Sequence, residues 1–238
     1  HQSAFEAIAT LRDPHDDRRI RALPDAAVRR DHLVKTFRLP DTIRTLIQPV
    51  YSLDDIVLEG PDSRTPSRPS TTSSAFDPLD VIWTSHQQLF LLLHDEQSSR
   101  KSNPYEVELA HHILARGLAL NQLPEASVAV MTPHRAQKAL LRQRLMPFSK
   151  YTTMIDTVER LQGGEQDTII VSSTVSDPVA IARTSDFVLD MQRSNVAFSR
   201  TKRRLVVICA RTLIDHVPSE VDIYDTTLLW KHLRQLCA

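Results

Sequence analysis

The sequence predicts an α/β fold with a mostly parallel sheet. Short apolar runs rich in β-branched residues recur at Ser127-Val-Ala-Val-Met131, Thr168-Ile-Ile-Val-Ser172 and Leu205-Val-Val-Ile-Cys209, with stretches of helical periodicity between them. Strands that alternate with helices pair in parallel, because each crossover helix covers one face of the sheet. A strand buried on both sides then reads as an unbroken apolar run. The 238 residues, 41% of them hydrophobic, are enough for one domain with a substantial core.

In chain order, residues 1–58 read as a helical lead-in that packs on the sheet, with Pro40–Tyr51 its clearest helix. Residues 59–78, rich in Pro, Ser and Thr, read as a flexible surface loop. The α/β core is expected over 79–238, so the whole chain is expected to form a single domain. Trp83-Thr84 and Leu89–Leu93 are strand candidates. Asn103 ahead of Pro104, with Glu106 three residues after the cap, marks a helix start, and Gly117 marks its end. Pro133 leads into a helix over Arg135–Leu145, and Thr153–Ile155 is the next strand. A polar loop near Ser176–Ser185 and a helix over about Asp190–Arg200 precede the last strong strand. The basic run Lys202-Arg203-Arg204 reads as a solvated helix end.

Composition narrows the function. No apolar run approaches the roughly 18 residues of a membrane helix, so no membrane partner is expected. Two cysteines, Cys209 and Cys237, do not make a disulfide framework, which fits a reducing intracellular compartment, cytoplasm or nucleus. The opening His1-Gln-Ser-Ala-Phe5 has no initiator Met and no signal-peptide pattern, and is expected to belong to a longer chain. Because 29 basic residues balance 29 acidic ones, any nucleic-acid binding must come from a local stripe. Among ten histidines, His111 and His112 are adjacent and point apart on a helix, while His15, His86 and His94 stand alone, so no metal site is expected.

Of only four glycines, Gly163 and Gly164 sit side by side in Thr157-Val-Glu-Arg-Leu-Gln-Gly-Gly-Glu-Gln-Asp167, directly ahead of the Thr168 strand. Glycine admits φ > 0 and close approach of the backbone to another group. Such a turn suits a phosphate or a sugar, and equally an ordinary tight loop.

Three further blocks accompany it: Thr36-Phe-Arg-Leu-Pro40, Val130-Met-Thr-Pro-His-Arg-Ala-Gln137 and Arg193-Ser-Asn-Val-Ala-Phe-Ser-Arg-Thr-Lys-Arg203. Together the four, spread over roughly residues 36–210, resemble the C-terminal RecA-like domain of superfamily-1 helicases of the Upf1-like group. That group's blocks read approximately Q/T-Y-R-L/M, T-P-Y-x-x-Q, T-V-D-x-x-Q-G-x-E and R-x-N-V-A-x-[ST]-R-A-[KR]. The resemblance implies a RecA-like three-layer sandwich, the P-loop NTPase type of fold. It implies that Arg38 and Arg200 reach the γ-phosphate of ATP, and that Gln162, Gly163, Gly164 and Glu165 line the nucleotide site, with Glu165 on the ribose. Thr132, Pro133 and Thr157 fall where the family holds the backbone of single-stranded DNA or RNA. An arginine suits phosphoryl transfer, since its fixed charge meets the negative charge spread over the equatorial oxygens.

Each residue also has a plainer reading. Arg200 suits a surface ion pair, Arg38 a helix cap, Asn195 a satisfied core amide, and Thr132 or Thr157 local backbone bonding. His134, Ser194 and Thr201 depart from the family pattern without removing a charged role. The larger departure is that neither Gly-x-x-x-x-Gly-Lys-[Ser/Thr] nor an Asp-Glu magnesium motif occurs in these 238 residues. ATP and Mg²⁺ are therefore expected only in company with a first, N-terminal RecA-like domain of the same protein. The chain read alone is half of an ATP site and inactive. From a different class, a non-catalytic RecA-like docking module for protein or nucleic acid carries the same fold.

Overall fold

Every long apolar run of the sequence became a strand of one parallel sheet. The computed structural model describes residues 10–13, 16–22, 39–52, 56–60, 77–160, 164–218 and 221–237, and it divides the chain into two units, 1–34 and 35–238. In the first unit β1 (Thr10–Asp13) and β2 (Asp16–Ala22) pair antiparallel, Asp13 opposite Asp16. This corrects the helical reading of the lead-in. Pro14 follows Asp13, and Asp-Pro is turn chemistry that removes a helix donor.

The second unit begins with α1 (Asp41–Ser52), which buries Ile43, Leu46, Ile47 and Val50 at helical spacing, close to the expected Pro40–Tyr51. Most of the expected loop, 61–76, lies outside the described residues. Trp83 lies on a helix, α2 (Asp80–Thr84), and not on a strand. The Leu79 amide donates to Asp77 Oδ1 at 2.8 Å, and Arg116, remote in sequence, clamps both oxygens of Asp80 at 2.6 and 2.8 Å. Next come β3 (Leu89–His94), α3 (Pro104–Ala119), β4 (Val128–Thr132), α4 (Arg135–Arg144) and β5 (Thr152–Thr157). The helix α3 runs two residues past Gly117, which is a packing site rather than a terminator. A Cβ there would lie 2.6 Å from Trp83 Cε2, and the Trp83 indole donates to the Ile113 carbonyl at 2.8 Å.

The chain continues through β6 (Gln166–Ser172), α5 (Pro178–Val188), α6 (Met191–Phe198), β7 (Thr201–Ala210), α7 (Arg211–Ile214), α8 (Val221–Thr226) and α9 (Leu228–Leu236). The expected polar loop near 176–185 is the helix α5. Asp177 caps it, accepting from the Ala180 amide at 2.7 Å, and Pro178 takes its first position. The basic run 202–204 opens β7 and is no helix end.

The sheet order is β3-β7-β6-β4-β5, all parallel. Alternation along β7 builds two cores. Leu205, Val207 and Cys209 join α1, α5, α6 and α9 residues on one face, while Val206 and Ile208 join α2, α3 and α4 residues on the other. The result is the three-layer α/β sandwich that the RecA-like resemblance implies.

Candidate functional site

At the amino ends of the two central strands, the Gln166 amide donates to the Arg200 carbonyl at 3.0 Å, and Gln166 pairs in register with Thr201. Parallel pairing therefore sets Glu165 beside Arg200 on one rim. Arg200 lies just beyond the C-terminus of α6, whose first turn is capped by Asp190, accepting from the Arg193 amide at 2.6 Å. The Arg200 Nε is buried and has no hydrogen-bond partner among the described residues. An unpaired buried donor on a cation is costly, about 1–3 kcal/mol or more, so this atom calls for an explanation. Asn195 Oδ1 and Thr201 Oγ1, on the same stretch, are also buried without a partner among the described residues. This removes the reading of Asn195 as a satisfied core amide.

Glu165 is partly exposed and meets Lys202 Nζ at 3.4 Å. The Gly164 backbone lies outside the left-handed region, and a Cβ there would meet only Gln166 Nε2 at 3.8 Å among the described residues. The fold itself does not need glycine at 164, and the rim is left open in front of it. Arg38, Gln162 and Gly163 lie outside the described residues. The family departure at Ser194 has a structural role, since its hydroxyl accepts from the Trp230 indole at 2.8 Å. Arg193 ties α6 to α5, donating to the Phe187 carbonyl at 2.8 Å with its guanidinium 4.0 Å over the Phe187 ring.

The carboxyl ends of β4 and β5 form a second rim, where ligands of open α/β sheets are commonly held. Thr132 and Thr157 are register partners there. Pro133 and Thr157 are partly exposed, but Thr132 is fully buried, its hydroxyl 2.9 Å from that of Thr174. Thr132 thus shapes this edge from inside. Asp156 accepts from Lys138 at 3.0 Å and Arg142 at 3.1 Å. Burial works against its ionisation, but the Lys138 bond, the Thr157 amide and the two cations outweigh it and hold its carboxyl below the usual range.

Sequence reading missed the buried network behind this rim. Asn103 does cap α3, accepting from the Glu106 amide at 3.1 Å. The Glu106 side chain, however, does not complete a capping box. It accepts from the Thr174 amide at 2.9 Å, from the hydroxyls of Ser172 and Ser173, and sits 3.1 Å from His94 Nε2. Gln137 takes the cap's place, accepting from the Asn103 amide at 2.7 Å and donating to Ser172 Oγ at 2.9 Å. Thr174 is held at φ 75°, costly for a β-branched residue. The signal in the sequence was Gln137, the last residue of the T-P-x-x-x-Q block. His134, the next departure, has its pKa lowered by burial and by Lys101.

One group of metal-type ligands lies together among the described residues. Atoms of Glu108, His111 and His112 fall within 4.8 Å of one another, with Glu108 already held by Arg144 at 2.7 and 2.8 Å. No helix among the described residues is long and apolar enough to cross a membrane. Cys209 and Cys237 are free thiols, and burial raises the pKa of both.

Comparison with known proteins agrees with this architecture. The family profile described as "AAA domain" matches residues 38–212. The "DNA polymerase alpha-associated DNA helicase A" of Schizosaccharomyces pombe is 36% identical over 108 residues, 45% of this chain and 16% of that protein. The "DNA replication ATP-dependent helicase/nuclease DNA2" of Xenopus laevis is 26% identical over 162 residues, 61% of this chain and 15% of that protein. The "DNA-binding protein SMUBP-2" of Mesocricetus auratus is 34% identical over 129 residues, 53% of this chain and 12% of that protein. The chain thus matches no more than 16% of the length of any of these three relatives.

Proposed function

Because the chain belongs to the AAA domain family, as a superfamily-1, Upf1-like helicase domain, we propose that it is the second motor domain of an ATP-dependent nucleic-acid helicase. It completes in trans an ATP site whose phosphate- and Mg²⁺-binding groups belong to a first RecA-like domain of the same protein. The observation that carries this reading is the buried, unpartnered Nε of Arg200 beside Glu165. A γ-phosphate oxygen supplies the missing acceptor, and a guanidinium in place there is worth roughly a thousandfold or more in rate. Arg38 serves the same phosphate, and Gln162, Gly163, Gly164 and Glu165 line the nucleotide and its ribose. Bound ATP supplies the phosphoryl group, with Mg²⁺ neutralising its charge.

The opposite rim grips single-stranded DNA or RNA. Pro133 and Thr157 face the strand, and Thr132 sets their edge through Thr174. Closing and opening of the cleft between the two motor domains then moves the strand, held through its phosphates without sequence preference. The docking-module reading leaves the unpaired Arg200 unexplained. Steady-state phosphate release by the 238-residue chain tests the half-site: no turnover is expected with or without single strands. Turnover near 1 s⁻¹ or above, typical of working enzymes, overturns it.

A further inference from the structure

Lys202 reaches the first rim through Glu165, but Arg203 and Arg204 contact neither rim, and the start of β7 is irregular just there. Gln166 pairs with Thr201 and Thr168 with Arg204, so two steps along β6 face three along β7. One extra residue makes a β-bulge, which re-aims side chains that strict alternation would send to opposite faces. Arg203 and Arg204 consequently line one cavity of about 350 Å³, together with Asn121, Gln122, Asp167 and Thr168. The volume falls at the lower end of small-ligand sites. Thr168 and Arg204 are in register with the Ile170 and Val206 side of the sheet, the face covered by α3 and α4, whereas α6, which leads to Arg200, covers the other face.

The charge of this cavity is only partly balanced from within, by the Asp167 carboxylate, which favours the Arg204 cation but less than burial and Arg203 disfavour it. Of the three basic residues only Lys202 has an ion-pair partner among the described residues, Glu165 at 3.4 Å. Asp167 lines the cavity without forming an ion pair with either arginine. Arg204 is partly buried and steered by Trp83, whose carbonyl accepts from its Nη2 at 3.4 Å and whose ring lies 5.5 Å below its guanidinium. Burial, and next the charge of Arg203, disfavour the Arg204 cation, so a bound anion relieves both. A solvated pair of surface arginines needs neither the bulge nor the cavity.

We propose that this cavity is a phosphate-binding site, independent of the Arg200 rim, taking the phosphate group of a free nucleotide or of a nucleic-acid backbone. Two guanidinium forks match phosphate oxygens in bidentate fashion. The Asn121 and Gln122 amides and the Thr168 hydroxyl add neutral donors.

Isothermal titration of the 238-residue chain with inorganic phosphate, adenosine monophosphate and a short single-stranded oligonucleotide tests this. Arg203 is exposed, so Arg203→Ala is expected to keep the far-ultraviolet circular dichroism of the parent. It should weaken at least one probe about tenfold. Loss with phosphate and the monophosphate assigns a free nucleotide as the source, and loss confined to the oligonucleotide assigns the strand. Arg204→Lys, which keeps the charge but not the fork, should weaken the same probe. If none of the probes binds, or if Arg203→Ala binds all three as the parent does, the proposal is wrong. If Arg200→Ala alone abolishes phosphate binding, the anion belongs to the other rim and this site is equally overturned.

Discussion

The amide of Gln166 donates to the carbonyl of Arg200 at 3.0 Å, which joins the glycine turn to the arginine block across two adjacent parallel strands. Two sequence blocks that are far apart in the chain thereby share one rim, just ahead of the register shift between Gln166 and Thr168. That relation places the proposed nucleotide contacts, Glu165 and Arg200, side by side.

Gly117→Ala should destabilise the domain. The new Cβ falls 2.6 Å from Trp83 Cε2, and the Trp83 ring is held by its bond to the Ile113 carbonyl. Overpacking of this kind costs about 1–3 kcal/mol, despite alanine's better helix propensity. Urea unfolding followed by tryptophan fluorescence would show a lowered midpoint. An unchanged or raised midpoint would mean that the ring moves freely aside.

Glu106→Ala should be among the most damaging single changes. It leaves the Thr174 amide, the Ser172 and Ser173 hydroxyls and His94 without their common acceptor. Stranding buried partners in this way costs about 3 kcal/mol. With the φ 75° backbone at Thr174 released, hydrogen exchange at 172–176 should also accelerate. Parent-like exchange there would contradict the role given to this network.

Acid should weaken the fold partly through Glu96. Burial opposes its ionisation, but bonds from Ser176, Ser98 and Ser99 outweigh it and bring its pKa down from an ordinary 4.5 to about 2. A depressed carboxylate contributes stability above its unfolded pKa and loses it as pH falls through the folded one. The window here is therefore from about pH 5 to about pH 2. Glu96→Gln should flatten the stability–pH curve in that window, measured as unfolding midpoint against pH. A variant curve parallel to the parent's would deny Glu96 this role.

Single-strand binding by this chain should be weak and dependent on salt. With 29 basic and 29 acidic residues there is no global positive field, and one domain offers few phosphate contacts. The log–log salt slope should be shallow, on the order of −2 to −4. Fluorescence anisotropy across a salt series measures it. Binding that ignores salt would indicate base stacking in place of backbone contact.

The five-stranded sheet was legible because strands buried on both faces have no alternative period, as in Leu205–Cys209. Helix α5 was not, since Ser185 occupies a buried position of its inner face and conceals the apolar stripe, although Asp177-Pro178 carries the same start signal that was readable at Asn103-Pro104. Trp83 reads as a strand residue because its β-propensity is visible locally, whereas its partner Gly117 is remote in sequence. At the candidate site, Glu165 and Arg200 are proposed from resemblance, whereas the Glu106 network hid behind a local capping pattern. Long-range acceptors such as Ser172 and Thr174 leave no spacing to read.

The central claim rests on Arg200, whose Nε awaits an acceptor. The direct test is ATPase turnover of the full-length protein carrying Arg200→Ala, beside its unfolding midpoint. On the proposed reading the charge acts in the transition state, when the two motor domains close on the phosphate. Turnover should therefore fall by about a thousandfold or more, while the unfolding midpoint should not fall, because the substitution removes a buried donor that has no partner among the described residues. Arg200→Lys should not restore the rate, because it lacks the fork. Parent-like turnover in a folded Arg200→Ala protein would contradict the account.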